Sequence, residues 1–279
     1  MSGNLSDHML GRRRVLALGG GAAGGAVLAG ASLAGASTTA ATDWVRLPVV
    51  SANIGRKNLG ARKDAIHDVR YCDSGHRPLV GWQEIREGDG DNQEPADIAT
   101  YFGSAYQKPF LHDDKAYREP LCVPTPWKIV ARTRTFVHGG IAGVTPSRWI
   151  NEVVVRHTSH PTLEFALINT HYIAGAYNGG RKPALRDKWD LHKQKHKARV
   201  LAHHQAGRLV IWTADTNNPG FKKATGMAAE KQVFATGIDR INWLPGNGNV
   251  QLQLVSKKTV DMRVDGHDAH VAVFRIRLA

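Results

Sequence analysis

Cysteine is nearly absent from this 279-residue chain, which holds only Cys72 and Cys122. Two cysteines without paired ligand spacing exclude a disulfide framework or a structural zinc site as the basis of the fold. Aromatic residues are only 7% of the total, and neither Trp127 nor Trp149 sits in an apolar tip, so the sequence shows no aromatic hairpin for seating on a lipid surface. Acidic residues are also short, 24 against 37 lysines and arginines, giving a formal charge of +13 and a pI near 10.0. Such a field favours polyanionic partners and disfavours casual self-association, so a monomer is expected. No repeat with a period of about 20 to 50 residues is present. What the chain does contain is 42% hydrophobic and 22% charged residues. That suffices to bury a sizeable core and excludes disorder as the main state.

Residues 1–40 read as an export signal. Arg12, Arg13 and Arg14 precede a stretch, 15–34, made only of Gly, Ala, Val, Leu and Ser, and the small residues at 36–41 suit cleavage near Ala40 or Ala41. Consecutive arginines ahead of a weakly hydrophobic stretch match twin-arginine signals. The stretch is long enough to span a bilayer of about 30 Å, but its six glycines oppose a lipid-facing helix, so no stable membrane insertion is expected after cleavage. The expectation is a secreted bacterial protein whose remaining domain, 41–279, carries a charge of about +11. In an oxidising compartment Cys72 and Cys122 can pair.

Short β-branched apolar runs recur at 44–54, 79–82, 129–131, 150–156, 163–170, 209–213, 233–238, 250–255 and 270–276, each strand-like in length. Helical stretches at 61–71 and 184–205 lie between them, which makes an α/β mixture rather than an all-β barrel. The second helix carries Lys188, His192, Lys193, Lys195, His196, Lys197 and Arg199 opposite Leu185, Trp189, Leu191 and Val200. It reads as a solvated outer helix.

Several of these runs end in polar clusters that packing does not require. Asn53 closes Val-Val-Ser-Ala-Asn, Glu84 closes Val-Gly-Trp-Gln-Glu, His171 closes Leu-Ile-Asn-Thr-His, and Asp215 and Asn217 close Trp-Thr-Ala-Asp-Thr-Asn. Delivery of carboxylates, amides and a histidine to strand ends suits a site at one sheet edge. Two later clusters, Gly237-Ile-Asp-Arg and Gly266-His-Asp-Ala-His-Val-Ala-Val, add Asp239, His267 and His270.

The ordered series Asn, Gln-Glu, Asn-Thr-His, Asp-x-Asn, Ile-Asp and His-x-Ala-Val resembles the endonuclease/exonuclease/phosphatase superfamily, of which deoxyribonuclease I is a member, from Asn53 to about Val273. The resemblance implies a four-layer α/β/β/α sandwich, two packed and mostly antiparallel sheets flanked by helices, and a catalytic domain over 41–279. It implies that Glu84 binds the metal and Asn53 supports the metal and its water, with Mg²⁺ expected and Mn²⁺ or Ca²⁺ possible for oxygen ligands. His171 would contact the scissile phosphate, Asp215 and Asn217 would position water and phosphate, and Asp239 would orient His270. Hydrolysis would be one in-line attack by water, assisted by a His-Asp pair. The family pattern reads Ser-Asp-His-x-Pro-Val at its last strand, whereas this chain has Asp268-Ala269-His270-Val271-Ala272-Val273. The carboxylate before the histidine is missing, and Asp268 is the nearest substitute. His267 is the alternative histidine, preceded by Gly266.

The charge directs the substrate expectation to nucleic acid, since each neutralised phosphate releases counterions. The alternatives are a sphingomyelinase-like phospholipid phosphodiesterase, a phosphatase, or a non-catalytic polyanion binder.

Overall fold

A computed structural model describes residues 43–55, 62–85, 94–178, 183–264 and 266–279. The export segment lies outside these residues. The described strands are β1 (Val45–Asn53), β2 (Leu79–Gln83), β3 (Tyr106–Gln107), β4 (Leu121–Pro124), β5 (Trp127–His138), β6 (Arg148–His157), β7 (Glu164–His171), β8 (Leu209–Asp215), β9 (Lys231–Gln232), β10 (Asp239–Leu244), β11 (Val250–Val264) and β12 (His267–Leu278). The helices are α1 (Arg62–Arg70), α2 (Glu94–Phe102) and α3 (Arg186–Gln205). Strands form two six-stranded sheets, ordered β11-β12-β1-β2-β4-β3 and β5-β6-β7-β8-β10-β9.

Period-two alternation sorts the apolar side chains into layers. Leu47 and Val49 of β1 meet Phe165 and Leu167 of β7 and Leu209 and Ile211 of β8 between the sheets. The intervening Val50 and Ala52 face α1 and α2 through Ile66, Val69, Ile98 and Phe102. On the far side Ala166, Ile168, Val210 and Trp212 pack against Trp189 and Val200 of α3. The result is the expected α/β/β/α sandwich.

Three readings are corrected. The run at 233–238 is not a strand, because Gly237 sits at φ +82° and Arg240 takes the Thr236 carbonyl at 2.9 Å, so this backbone bonds a guanidinium instead of a ladder. His192 and His196 belong to the packed face of α3, fully buried with Trp189 and Val200. His192 Nε2 lies 2.7 Å from Thr170 Oγ1 and His196 Nδ1 lies 2.9 Å from Tyr172 Oη, which is why a helix so polar packs at all. Cys72 and Cys122 are buried free thiols. Among the described residues no helix is long and apolar enough to cross a membrane.

Candidate active site

The inner faces of four strands change from apolar to polar along their length. Leu47 and Val49 give way to Ser51 and Asn53, Leu79 to Gly81 and Gln83, Phe165 and Leu167 to Asn169 and His171, and Leu209 and Ile211 to Thr213 and Asp215. Because β1 pairs with β2 in parallel and β7 with β8 in parallel, these polar ends lie at the same edge. The antiparallel β10 brings its first residue, Asp239, opposite Asp215.

Beneath the edge lies a buried polar layer. Gln83 donates to Asn169 Oδ1 at 2.7 Å, Thr213 Oγ1 donates to the same oxygen at 2.9 Å, and Asn169 Nδ2 donates to the Trp82 carbonyl at 2.7 Å. Gly81 lets the sheets close over it, since a Cβ there would meet Thr213 Oγ1 at 2.0 Å. This layer fixes the spacing between the sheets and hence between the groups above it.

Asn53 Nδ2 donates to Asp215 Oδ2 at 2.9 Å and to Glu84 Oε1 at 3.3 Å, while its Oδ1 accepts from Gly55 N at 2.8 Å. Asn53 thus crosses between the sheets and ties two carboxylates together. His171 Nε2 lies 3.4 Å from Asp215 Oδ2 and 3.6 Å from Glu84 Oε1. Asn217 donates its backbone N–H to Asp215 Oδ1 at 2.8 Å and its amide to the Tyr172 carbonyl at 3.0 Å. Glu84 and Asn217 hold left-handed backbones, φ +65° and +48°, a conformation that costs roughly 1 kcal/mol or more and collects at functional sites. Asn53, Glu84, His171, Asp215 and Asn217 therefore converge.

The pairing expected of Asp239 differs. Its Oδ2 is 3.1 Å from His267 Nδ1, whereas His270 stacks on Phe234 with ring centres 4.0 Å apart. The physical reason is strand parity and length. β12 begins at His267 itself, at the hairpin turn beside β10, so the strand that follows the histidine is already present. Gly266 at that turn has φ +83° and stands where the resemblance places a carboxylate. Asp268 is exposed opposite Asp261 and does not replace it.

Two more buried groups escaped the sequence reading because no strand-end pattern marks them. Glu119 is fully buried with neither carboxylate oxygen hydrogen-bonded; burial lifts it to about 7 against the pull of Arg148 and Arg118. Arg148 opens β6 and bears on His171, which burial first and the Arg148 charge second hold below the ordinary imidazole value.

Charge interactions divide the two acids. Burial alone would raise Asp215, but the hydrogen bond and charge of His171 keep it low. Burial and the neighbouring Asp215 raise Asp239 to about 7. Burial pulls His267 down, yet Asp239, Asp215 and Glu84 outweigh it and hold the imidazole up at about 9.

One ligand atom from each of Glu84, His171 and Asp215 lies within 4.8 Å of the others, and the same holds for Asp215, Asp239 and His267. Asp239 Oδ1 is buried without a hydrogen-bond partner. Three carboxylates supplying oxygen donors, one of them unsatisfied, fit a hard divalent cation.

No family model and no curated protein matches the sequence. Solved structures do match. An endonuclease/exonuclease/phosphatase family protein from Bacteroides thetaiotaomicron is 14% identical, with a TM-score of 0.56 over 84% of this chain and 98% of its own. The mannosyl-6-phosphatase Bt3783 of the same bacterium is 14% identical, TM-score 0.54, over 82% and 99% of the two chains. ANGEL2, a 2′,3′-cyclic phosphatase solved with adenosine-2′,3′-vanadate, is 12% identical, TM-score 0.57, over 83% and 96%. At such identities the likeness is one of fold.

Proposed function

We propose that this chain, which has the fold of endonuclease/exonuclease/phosphatase proteins, is a divalent-metal-dependent phosphodiester hydrolase that is exported and acts on nucleic acid. The observation that carries the reading is the meeting of Asn53, Glu84, His171, Asp215, Asn217, Asp239 and His267 at one edge of the sandwich, linked by the bonds given above. Mg²⁺, or Mn²⁺ or Ca²⁺ in its place, would be held by Glu84 and Asp215 with Asn53 steadying both, and would neutralise charge on the phosphoryl oxygens.

The protein's own groups supply the rest. Asp239 accepts from His267 Nδ1, which orients the imidazolium and leaves its Nε2–H to donate to a phosphoryl oxygen or to the departing ester oxygen. His171 and the Asn217 amide face the phosphate and stabilise the charge that builds as the water oxygen bonds to phosphorus and the ester oxygen departs. No covalent enzyme intermediate is needed. The charge of about +11 over 41–279 supports a polyanionic substrate through counterion release, and the leader at 1–40 supports export by the twin-arginine route.

The test is incubation of the purified protein with supercoiled plasmid in Mg²⁺ and in EDTA, beside Asp215→Asn. Nicking that needs the metal and disappears in the variant supports the reading. An intact plasmid in Mg²⁺, Mn²⁺ and Ca²⁺ sinks the DNA substrate and moves the assay to RNA, sphingomyelin and phosphorylated inositols.

A further inference from the structure

A cavity of about 450 Å³ opens in the connection from α1 to β2, lined by Arg70, Tyr71, Asp73, Ser74, His76 and Arg77. It is remote from the catalytic edge. β1 and β2 are parallel and reach that edge with Asn53 and Gln83, whereas this connection enters β2 at its other end. The two places stand apart by the length of β2, five residues or about 16 Å of strand.

The arginines of the lining differ from others in what they lack. Arg156 and Arg208 share Glu164, Arg199 takes Glu152 and Arg263 takes Asp68, all at 2.8–3.0 Å. Among the described residues neither Arg70 nor Arg77 has a carboxylate partner. The Arg70 guanidinium lies over ring faces, 4.8 Å from the Tyr71 centre and 5.1 Å from the Tyr106 centre, and its Nε is buried without a hydrogen bond. Stacking of this kind uses the face of the group and leaves its in-plane N–H donors for an acceptor. Arg77 is exposed and gives one nitrogen to Thr125 Oγ1 at 3.3 Å. The charges of Arg70 and Arg77 both act on the Tyr106 hydroxyl, which is itself buried without a hydrogen-bond partner, so the two guanidinium groups lie near one point.

The one acid of the lining does not neutralise them. Both oxygens of Asp73 accept from Arg46, each at 2.8 Å, and this hydrogen-bonded pair holds the Asp73 carboxyl below its usual range. His76 Nδ1 donates to the Ser74 carbonyl at 2.9 Å. Lys258 of β11 adds a further positive charge that reaches Asp73 and Cys72. The cavity therefore holds a surplus of cationic donors with no anion among the described residues to receive them.

We propose that this cavity binds a terminal phosphate group, free or as a monoester, at a place separate from the catalytic edge. One guanidinium fork satisfies the two oxygens of a carboxylate, whereas two guanidinium groups and the Ser74 hydroxyl match the three oxygens and the charge of about −1.5 to −2 of a terminal phosphate. The inference stands apart from the hydrolase reading, although cleavage of a phosphodiester creates such a group.

The experiment follows the backbone amide signals of the isotope-labelled protein in EDTA while inorganic phosphate, thymidine, thymidine monophosphate or terminally phosphorylated octathymidylate is added. Inorganic phosphate and the monophosphate should shift the Ser74 and Gly75 signals, and thymidine should not. An octamer that binds more tightly than the monophosphate assigns the group to a nucleic-acid end, and equal affinity assigns it to a small ester. Arg70→Gln, and Arg77→Gln at its exposed position, should each weaken phosphate binding at least about fivefold. Arg132→Gln, exposed on β5, should leave binding unchanged, and Arg77→Gln should hydrolyse bis(4-nitrophenyl) phosphate as the wild type does. Absence of shifts at Ser74 and Gly75 with phosphate, equal shifts with chloride at matched ionic strength, or equal weakening by Arg132→Gln overturns the proposal. No turnover enters the titration, so an inactive enzyme that still binds phosphate here sinks only the hydrolase reading, and an active one that does not sinks only this site.

Discussion

Parallel replacement of His267 and His270 by alanine distinguishes the two histidines by different properties. His267 donates Nδ1–H to Asp239 at 3.1 Å and keeps its proton up to about 9, so it can hand a proton to an oxygen at the site. Loss of such a proton carrier costs about 10²- to 10⁴-fold in turnover, or about 2.7–5.4 kcal/mol of transition-state stabilisation. His270 has Nδ1 buried without a partner, and burial together with Arg240 holds the ring down at about 4. It is neutral near pH 7 and serves as a flat wedge on Phe234. Its removal should cost about 1–2 kcal/mol of stability through lost stacking and burial and leave turnover within about threefold. Hydrolysis of bis(4-nitrophenyl) phosphate in Mg²⁺ reads the first effect and urea unfolding reads the second. The reasoning is refuted if His270→Ala loses a hundredfold in kcat while unfolding like the wild type, or if His267→Ala keeps more than a tenth of the wild-type rate.

Further outcomes follow from the same geometry. Asp215→Asn should weaken Mn²⁺ binding at least about tenfold in calorimetry and lower turnover by roughly 10²-fold or more, since this carboxylate joins both ligand clusters. Gly81→Ala drives a methyl group into Thr213 and Asn169 and should destabilise by about 2–3 kcal/mol, lowering Tm by roughly 4–12 °C in a calorimetric scan; an unchanged Tm would show that the sheets are free to separate there. Glu230 accepts from Trp212 Nε1, Ala224 N, Thr225 N and Thr225 Oγ1 at 2.6–2.9 Å, so Glu230→Ala should cost about 3–5 kcal/mol of urea stability, with Glu230→Gln milder. His196, fully buried and held at about 4 by desolvation, contributes stability that is complete above the unfolded value near 6.5 and is lost as pH falls toward 4, worth about 3 kcal/mol. His192 acts in the same sense, while the raised His267 acts oppositely, its contribution fading as pH rises through about 9. Urea midpoints that do not fall between pH 7 and 5 would contradict the buried neutral imidazoles.

The strand ends legible in the sequence were those whose polar residue continues a period-two apolar run, as Asn53, His171 and Asp215 do. Asp239 opens its strand, and its neighbours show no alternation that points to the site; the motif order marked it, and its pairing opposite Asp215 places it at the edge. The two late histidines lie three positions apart on one strand, and motif spacing favoured His270 because the valine-led run starts after it. Glu119 and Arg148 lie in segments with no marking pattern and emerge only from burial. The helix Glu94–Phe102 was missed for a similar reason, since nine residues give too few turns for a firm 3.6-residue period.

By itself the sequence determined the alternation that sorts apolar side chains between an inner and two outer layers, the basic charge, and the chemical types gathered at strand ends, because these follow from side-chain period and composition. Tertiary structure alone decided which histidine meets Asp239 and which imidazoles of α3 are buried. Those outcomes depend on register between strands distant in sequence, where a shift of one residue turns every side chain to the opposite face.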